Sequence, residues 1–348
     1  MKDSPIRIIG AGPAGLSAAI TLAKKKYKVI VYEKNPDVGM RFHNDFQGLE
    51  NWSTEEDVIN LLQALSININ FFNKPFYSGF LYGPSINAEI KSKKPFFYLV
   101  KRGTDPDSLD NSLKKQALEL GVSIIFNSRL DRHDGDIVAT GPQKPKIFAI
   151  GETFNTNLKD GAIIILDDDI APKGYAYLLI NDNRATLAAI IFEKFKYCNQ
   201  YLEKTIKKFK EITNFTITSP KKFVGYGSFS IPESAVRENR LYVGEAAGFQ
   251  DFLFGFGIRY AMKSGYLAAK SIIDSVDYDE LWKRDFNHQL QTSSSNRTIY
   301  ATFGNFVYDY LIKRTRNSRD PRKFWNRLYN RSLSKKILYL IALKIKNN

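Results

Sequence analysis

Cysteine, histidine and methionine are scarce in this chain, and long apolar runs are missing. One cysteine among 348 residues, Cys198, excludes an internal disulfide and cannot form a thiolate metal cluster by itself. The three histidines, His43, His133 and His288, stand far apart, so no metal site is expected. No stretch approaches the roughly 20 apolar residues of a membrane-spanning helix. The apolar run near the N-terminus begins after Lys2 and Asp3 and lacks the layout of a secretory leader, so a cytoplasmic location is expected. A content of 43% hydrophobic and 25% charged residues is that of an ordinary globular protein, and the length allows about two domains.

Acidic residues are the other shortage. The formal net charge is +15, and residues 301–348 carry twelve Lys or Arg against Asp309 and Asp320. Apolar residues are interleaved there, at Phe324, Trp325, Leu328 and Tyr329 and from Ile337 to Leu343. This fits an interfacial helix on an anionic membrane surface, or equally a basic helix packed on the core by its apolar side. Nucleic-acid binding is not expected, because no reader motif accompanies the charge.

The chain is organised around residues 6–33, IRIIGAGPAGLSAAITLAKKKYKVIVYE. An apolar strand, a glycine turn, a helix and a second apolar strand ending on an acid follow one another. Gly10 permits the tight turn, Gly12 and Ala14 keep the backbone open to a pyrophosphate, and Gly15 lets the helix approach the sheet. The helix start offers free N–H groups and partial positive charge to phosphates. Glu33 can accept from ribose hydroxyls, with Lys34 beside it. Dinucleotide binding follows, with Arg41 in the next loop near the phosphates.

Beyond Glu33 the pattern alternates. Residues 53–66 open with Ser53 and Glu56 in capping-box spacing and read as a helix. From Ile67 to Val100 strands dominate, then Leu109 to Leu120 reads as a helix and Val122 to Phe126 and 134–141 as strands. Residues 146–191 are strand-like again, and Lys194 to Ile212 form an amphipathic helix with Cys198 on its apolar stripe. The expected fold is α/β with an α+β insert. A Rossmann-type domain (1–66, 101–145, 226–275) is interleaved with an antiparallel β-sheet substrate domain (67–100, 146–225), and a basic helical region (276–348) follows.

A second glycine motif lies at 240–272, RLYVGEAAGFQDFLFGFGIRYAMKSGYLAAKSI. A strand ends at Val243, Gly244 turns, and Glu245 can reach a sugar hydroxyl. Gly255 and Gly257 flank Phe256 and open a helix at about Ile258, whose free N–H groups suit an electron-rich ligand edge.

GAGPAG with Glu33, Arg102 before LDNSLKKQALELG, ATG ending at Gly141, and GEAAGFQDFLFGFGIRYAMKSG together resemble the FAD-dependent para-hydroxybenzoate hydroxylase-like superfamily. Within it the chain is most similar to the geranylgeranyl reductase family. The likeness covers most of residues 5–275 in motif order. APKGYAYLLI at 171–180 resembles that family's substrate-lining segment, with Tyr175 and Tyr177 at its aromatic positions. Glu245 stands where the family has Asp, Phe252 where it has Pro, and Phe42-His43 where many members have Cys-Gly, so any role of that cysteine is absent.

The resemblance implies an FAD-dependent oxidoreductase that passes a hydride from flavin N5 to a carbon–carbon double bond of a polyprenyl or similarly apolar lipid-like substrate. NAD(P)H would visit only transiently as reductant. Phe46, Phe254, Tyr175 and Tyr177 are candidate walls of the substrate pocket, with Phe256 beside them. His43 and Asp45 are candidate proton donors. The same fold admits a flavin monooxygenase acting on an aromatic or quinone-like substrate, or a flavin electron-transfer protein at a membrane surface. Oligomeric state is not legible in the sequence.

Overall fold

The structure, a computed structural model, describes residues 4–330. Eight helices are present among them: α1 (Pro13–Lys24), α2 (Val58–Ala64), α3 (Leu109–Glu119), α4 (Cys198–Thr213), α5 (Ile258–Asp274), α6 (Tyr278–Phe303), α7 (Asn305–Arg316) and α8 (Pro321–Tyr329). The segment Ile337 to Leu343, expected to be amphipathic, lies outside the described residues.

The first sheet has six strands in the order Val236–Arg237, Arg240–Tyr242, Ile137–Val138, Ile6–Ile9, Val29–Tyr32, Ser123–Ile125. Ile6–Ile9 pairs in parallel with both Val29–Tyr32 and Ile137–Val138, so its edges are covered and it reads as a short apolar run. Helix α1 makes the crossover. Its residues Ala14 to Leu22 are all buried, because the sheet lies on one side and α5 on the other. This is the expected Rossmann-type layer, assembled from strands far apart in the chain.

Helices α1 and α5 touch through their smallest residues. A Cβ on Gly265 would sit 2.1 Å from the carbonyl oxygen of Ala14, and a Cβ on Gly244 would lie 3.0 Å from the Ala14 methyl. Ser17 Oγ donates to Met262 O at 2.7 Å across the contact. The two glycine motifs are thereby brought side by side.

The second sheet has seven strands, in the order Thr218–Gly227, Ile147–Asn155, Arg184–Ile191, Tyr175–Asn181, Gly161–Ile165, Ser78–Tyr82, Asn87–Lys91. Strand periodicity divides its side chains. Ala176, Leu178 and Ile180 turn to one face, where Tyr201, Leu202 and Phe209 of α4 cover them. Tyr175, Tyr177 and Leu179 turn to the other face, toward a cavity. Cys198 packs at the edge of the α4 cluster, as its place on the apolar stripe predicts. A third sheet of three strands, Asp45–Glu50, Phe97–Arg102 and Asn73–Phe76, bridges the two layers.

One local expectation changes, and α8 follows one of the two readings the sequence leaves open. Helix α2 begins later than the Ser53 and Glu56 spacing suggests. Asp57 is its N-cap, accepting from Ile59 N at 2.9 Å, while Ser53 Oγ donates to Glu50 at 2.7 Å. A buried carboxylate outcompetes the helix start for that hydroxyl. In α8 the apolar side goes to the core: Trp325 and Tyr329 are buried in a cluster with Tyr300, Tyr308 and Leu311. Among the described residues no helix is long and apolar enough to cross a membrane.

Replacing Gly265 by Ala is expected to force α1 and α5 apart and to destabilise the fold by about 1–3 kcal/mol. Urea unfolding of the variant against the parent measures this, and an unchanged midpoint would refute the close-contact argument.

Candidate functional site

One connected cavity of about 1300 Å³ runs from the first sheet to the C-terminal helices. Its first arm is lined by the two glycine motifs. Gly10, Gly12, Ala14, Glu33, Lys34, Arg41, Arg102, Gly141, Gly244, Glu245, Gly255, Phe256, Gly257 and Ile258 all border it. Gly15 does not. A Cβ there would fall 2.0 Å from Gly10 O, so its role is the close approach of α1.

The residues present fit a dinucleotide. At Gly12 an added Cβ meets no protein atom within 4 Å, so packing does not explain the glycine; the space beside it is cavity. Gly10 (φ +103°) and Gly255 (φ +80°) adopt turns that L side chains disfavour. Helix α1 starts at Gly12-Pro13 and α5 at Gly257, and neither has a side-chain cap. Their first N–H groups therefore lack partners within the helices and offer donors to an anionic or electron-rich ligand. Thr140 Oγ1 and Gln250 Oε1 also border the cavity, buried and without a hydrogen-bond partner.

The charged groups are held more tightly than the sequence suggests. Glu33 Oε2 accepts from Ala11 N at 2.9 Å, and Oε1 accepts from Asn35 N at 3.0 Å and Nδ2 at 2.7 Å. Its orientation is fixed by its own loop. Arg102 does not reach freely into the arm: Nε and Nη2 form a fork onto Asp110 at 2.8 and 2.9 Å, and the guanidinium lies 4.0 Å over the Phe42 ring. Arg41 donates to Tyr226 O and stands 3.5 Å from Glu245. Burial pushes the Glu245 carboxyl above its usual pKa, against the pull of Arg41 and Arg102.

Of the two candidate proton donors, the structure brings one to the cavity. Asp45 is buried and borders it, accepting from His43 N at 3.0 Å and Gln47 Nε2 at 2.8 Å. Desolvation raises its pKa, opposed by those hydrogen bonds and by Arg102. The His43 ring is exposed, stacks on Phe223 and does not border the cavity.

The second arm is apolar. Tyr175, Tyr177, Phe254 and Phe256 line it as expected, with Tyr175 Oη donating to Phe254 O at 3.0 Å. Phe46 does not. Strand alternation turns it away from Asp45 and Gln47 into a separate cluster with Phe76 and Leu99. Trp52, Leu81, Ile90, Phe96, Phe97, Ile164, Leu166, Leu179 and Trp325 also border the cavity. Sequence reasoning missed these residues because their proximity depends on sheet pairing and on the docking of α8.

It also missed Asp251. This buried carboxylate accepts from Phe254 N at 2.7 Å, while its own N donates to Phe256 O at 3.0 Å and its O accepts from Gly255 N at 3.1 Å. Asp251 thus ties the turn that carries both phenylalanines. An acid four residues before Gly255 was the available signal.

Comparison with known proteins gives the following. Residues 8–51 match the NAD(P)-binding Rossmann-like domain family. The chain is 22% identical to the digeranylgeranylglycerophospholipid reductase of Methanocaldococcus jannaschii, over 94% of this chain and 95% of the relative. It superposes on a geranylgeranyl bacteriochlorophyll reductase-like protein from Thermoplasma acidophilum with a TM-score of 0.71 and 16% identity, covering 97% and 95% of the two chains. A flavin-dependent brominase follows with a TM-score of 0.66 and 16% identity, covering 99% of each chain. The likeness to geranylgeranyl reductases read from the motifs is borne out along nearly the whole chain, and the fold is that of the FAD-dependent oxidoreductases.

Asp251 has its pKa raised to about 6, chiefly by burial, with Glu50 adding repulsion and Phe254 N opposing. Because the folded value exceeds the unfolded one, its stabilising contribution is complete below about pH 4 and is lost as pH rises through about 6. Asp251→Asn, which still accepts from Phe254 N, is expected to flatten that loss, worth on the order of 2–3 kcal/mol. Thermal melts of both proteins at pH 4.5 and 7.5 measure it; identical pH dependence would refute the assignment.

Proposed function

We propose that this protein is an FAD-dependent oxidoreductase that reduces carbon–carbon double bonds of a polyprenyl or similarly apolar, lipid-like substrate. The observation that carries this reading is the preponderance of aliphatic and aromatic side chains in the second arm, with Asp45, Gln47, Ser78 and Thr315 the polar residues bordering the same cavity. A small hydroxylated aromatic substrate would call for convergent polar groups there. FAD, when bound, supplies a hydride donor and acceptor. The first arm would hold it: the uncapped starts of α1 and α5 meet its electron-rich groups, and Glu33 and Glu245 accept from its hydroxyls. A nicotinamide nucleotide is the proposed source of electrons.

The chain's own side chains perform the rest. The ring of Phe256 and the pair Tyr175 and Tyr177 exclude water beside the second glycine turn. Asp45 is the proposed proton donor. Burial favours its protonated form, the form able to give up a proton to a carbon. The meeting place with substrate is proposed to be an anionic membrane surface. Phe303, Phe306 and Tyr310, 59%, 78% and 54% exposed, project outward near Lys313 and Arg314.

Purified protein is expected to be yellow, or to take up added FAD, and with reduced flavin to add two hydrogens per double bond to geranylgeranyl lipids, read by mass spectrometry. A colourless protein that refuses FAD removes the cofactor assignment; unchanged lipid removes the substrate assignment. Asp45→Asn is expected to slow turnover by about 10²–10⁴, and His43→Ala to leave it near the parent rate. In the parent, turnover is expected to fall as pH rises through the raised Asp45 pKa. Equal rates in Asp45→Asn and parent would exclude Asp45 as donor.

A further inference from the structure

The C-terminal helices close one side of the apolar arm. Among the described residues α7 and α8 reach the cavity with one side chain each, Thr315 and Trp325, and α6 with none. Trp325 is buried, its ring 5.7 Å from that of Phe254 and 6.2 Å from that of Trp52. Trp52 in turn lies 5.1 Å from Phe256, inside the second glycine turn. Trp325 therefore packs directly on Phe254, the residue before Gly255, and closes the arm on the side where α8 docks.

Its helix is locked in place. Arg322 Nε donates to Asn51 O at 2.6 Å and Nη2 to Thr54 O at 3.1 Å, while Asn326 Nδ2 donates to Trp52 O at 3.1 Å. Asp320 caps the first turn, accepting from Lys323 N at 2.9 Å. Arg322 and Asn326 are themselves buried, so displacing α8 would strip partners from buried polar groups and is strongly opposed. A wall so fastened does not yield to a ligand pressing on it. Elsewhere on α8, Phe324 and Leu328 are half-buried and Arg327 is exposed.

We infer that Trp325, with Thr315 of α7 bordering the same cavity, is the stop that limits the length of apolar chain the cavity accepts. The inference rests on the apolar-substrate reading above and narrows it to polyprenyl chains below a set number of isoprene units. The indole fills the position into which a longer chain would grow.

The test uses holoprotein and prenyl alcohols of increasing length, with binding measured by equilibrium dialysis. In the parent, affinity is expected to rise roughly tenfold or more per isoprene unit as apolar surface is buried, then to break at the first chain that meets the indole. Trp325→Ala moves that break outward by at least one unit, Trp325→Leu moves it less, and Thr315→Phe moves it inward. A break at the same length in parent and Trp325→Ala, with matching melting temperatures, overturns the stop. Should Trp325→Ala fail to fold, an unmoved break in Thr315→Phe overturns it equally. Failure of the parent to bind any chain overturns the apolar-substrate reading, and the stop with it.

Discussion

The contact between α1 and α5 is the constraint from which the site follows. Two helices can lie this close only where one of them presents no side chain at the contact, and Gly265 against the Ala14 carbonyl meets that condition. Their starts then face one cavity from loops that lie far apart in sequence, Ser17 and Met262 being 245 residues apart. Each start lacks a side-chain cap, and each follows a glycine turn. The donors left over at both places add their fields in one shared cavity.

The cavity divides by chemistry as well as by shape. Its first arm holds carboxylates and guanidinium groups already paired within the protein, as Arg102 with Asp110 and Glu33 with its own loop. Such pairing fixes orientation before any ligand arrives, which lowers the entropy cost of binding. The second arm has few groups that can hydrogen-bond, and the tyrosine hydroxyl of Tyr175 is already engaged with Phe254 O. Asp45 stands on the wall as a buried carboxyl, and burial, with Asp45 nearby, holds the Tyr177 phenol well above its ordinary pKa.

Much of this was legible because the signals were local. The turn, helix and acid of residues 6–33 are a contiguous pattern, and so is the glycine pair before α5. Tyr175 and Tyr177 could be named together because a strand puts alternate residues on one face. The same alternation, applied to Asp45–Glu50, would have separated Phe46 from Asp45 and Gln47. It was not visible there, because the loop ahead of the strand hides where the strand begins. Trp52, Ile90, Trp325 and the Arg322 latch were beyond reach for another reason. They meet through pairings between distant elements, and composition carries no trace of which elements will meet. Asp251 falls between these cases: its motif was seen, but its role depends on a turn that three hydrogen bonds close.

The woven order of the first sheet bears on how the chain acquires its structure. Arg7 bonds to Asp136, 129 residues away, and Ile137–Val138 then pairs with Arg240–Tyr242. No short fragment contains a complete layer, so closing large loops must precede the reward of forming the sheet. Folding is accordingly expected to be slow, with unpaired strand edges open to association before the last strands arrive. A ligand that grips both glycine turns binds only the finished article, and by mass action it would hold together a chain that is otherwise late to assemble.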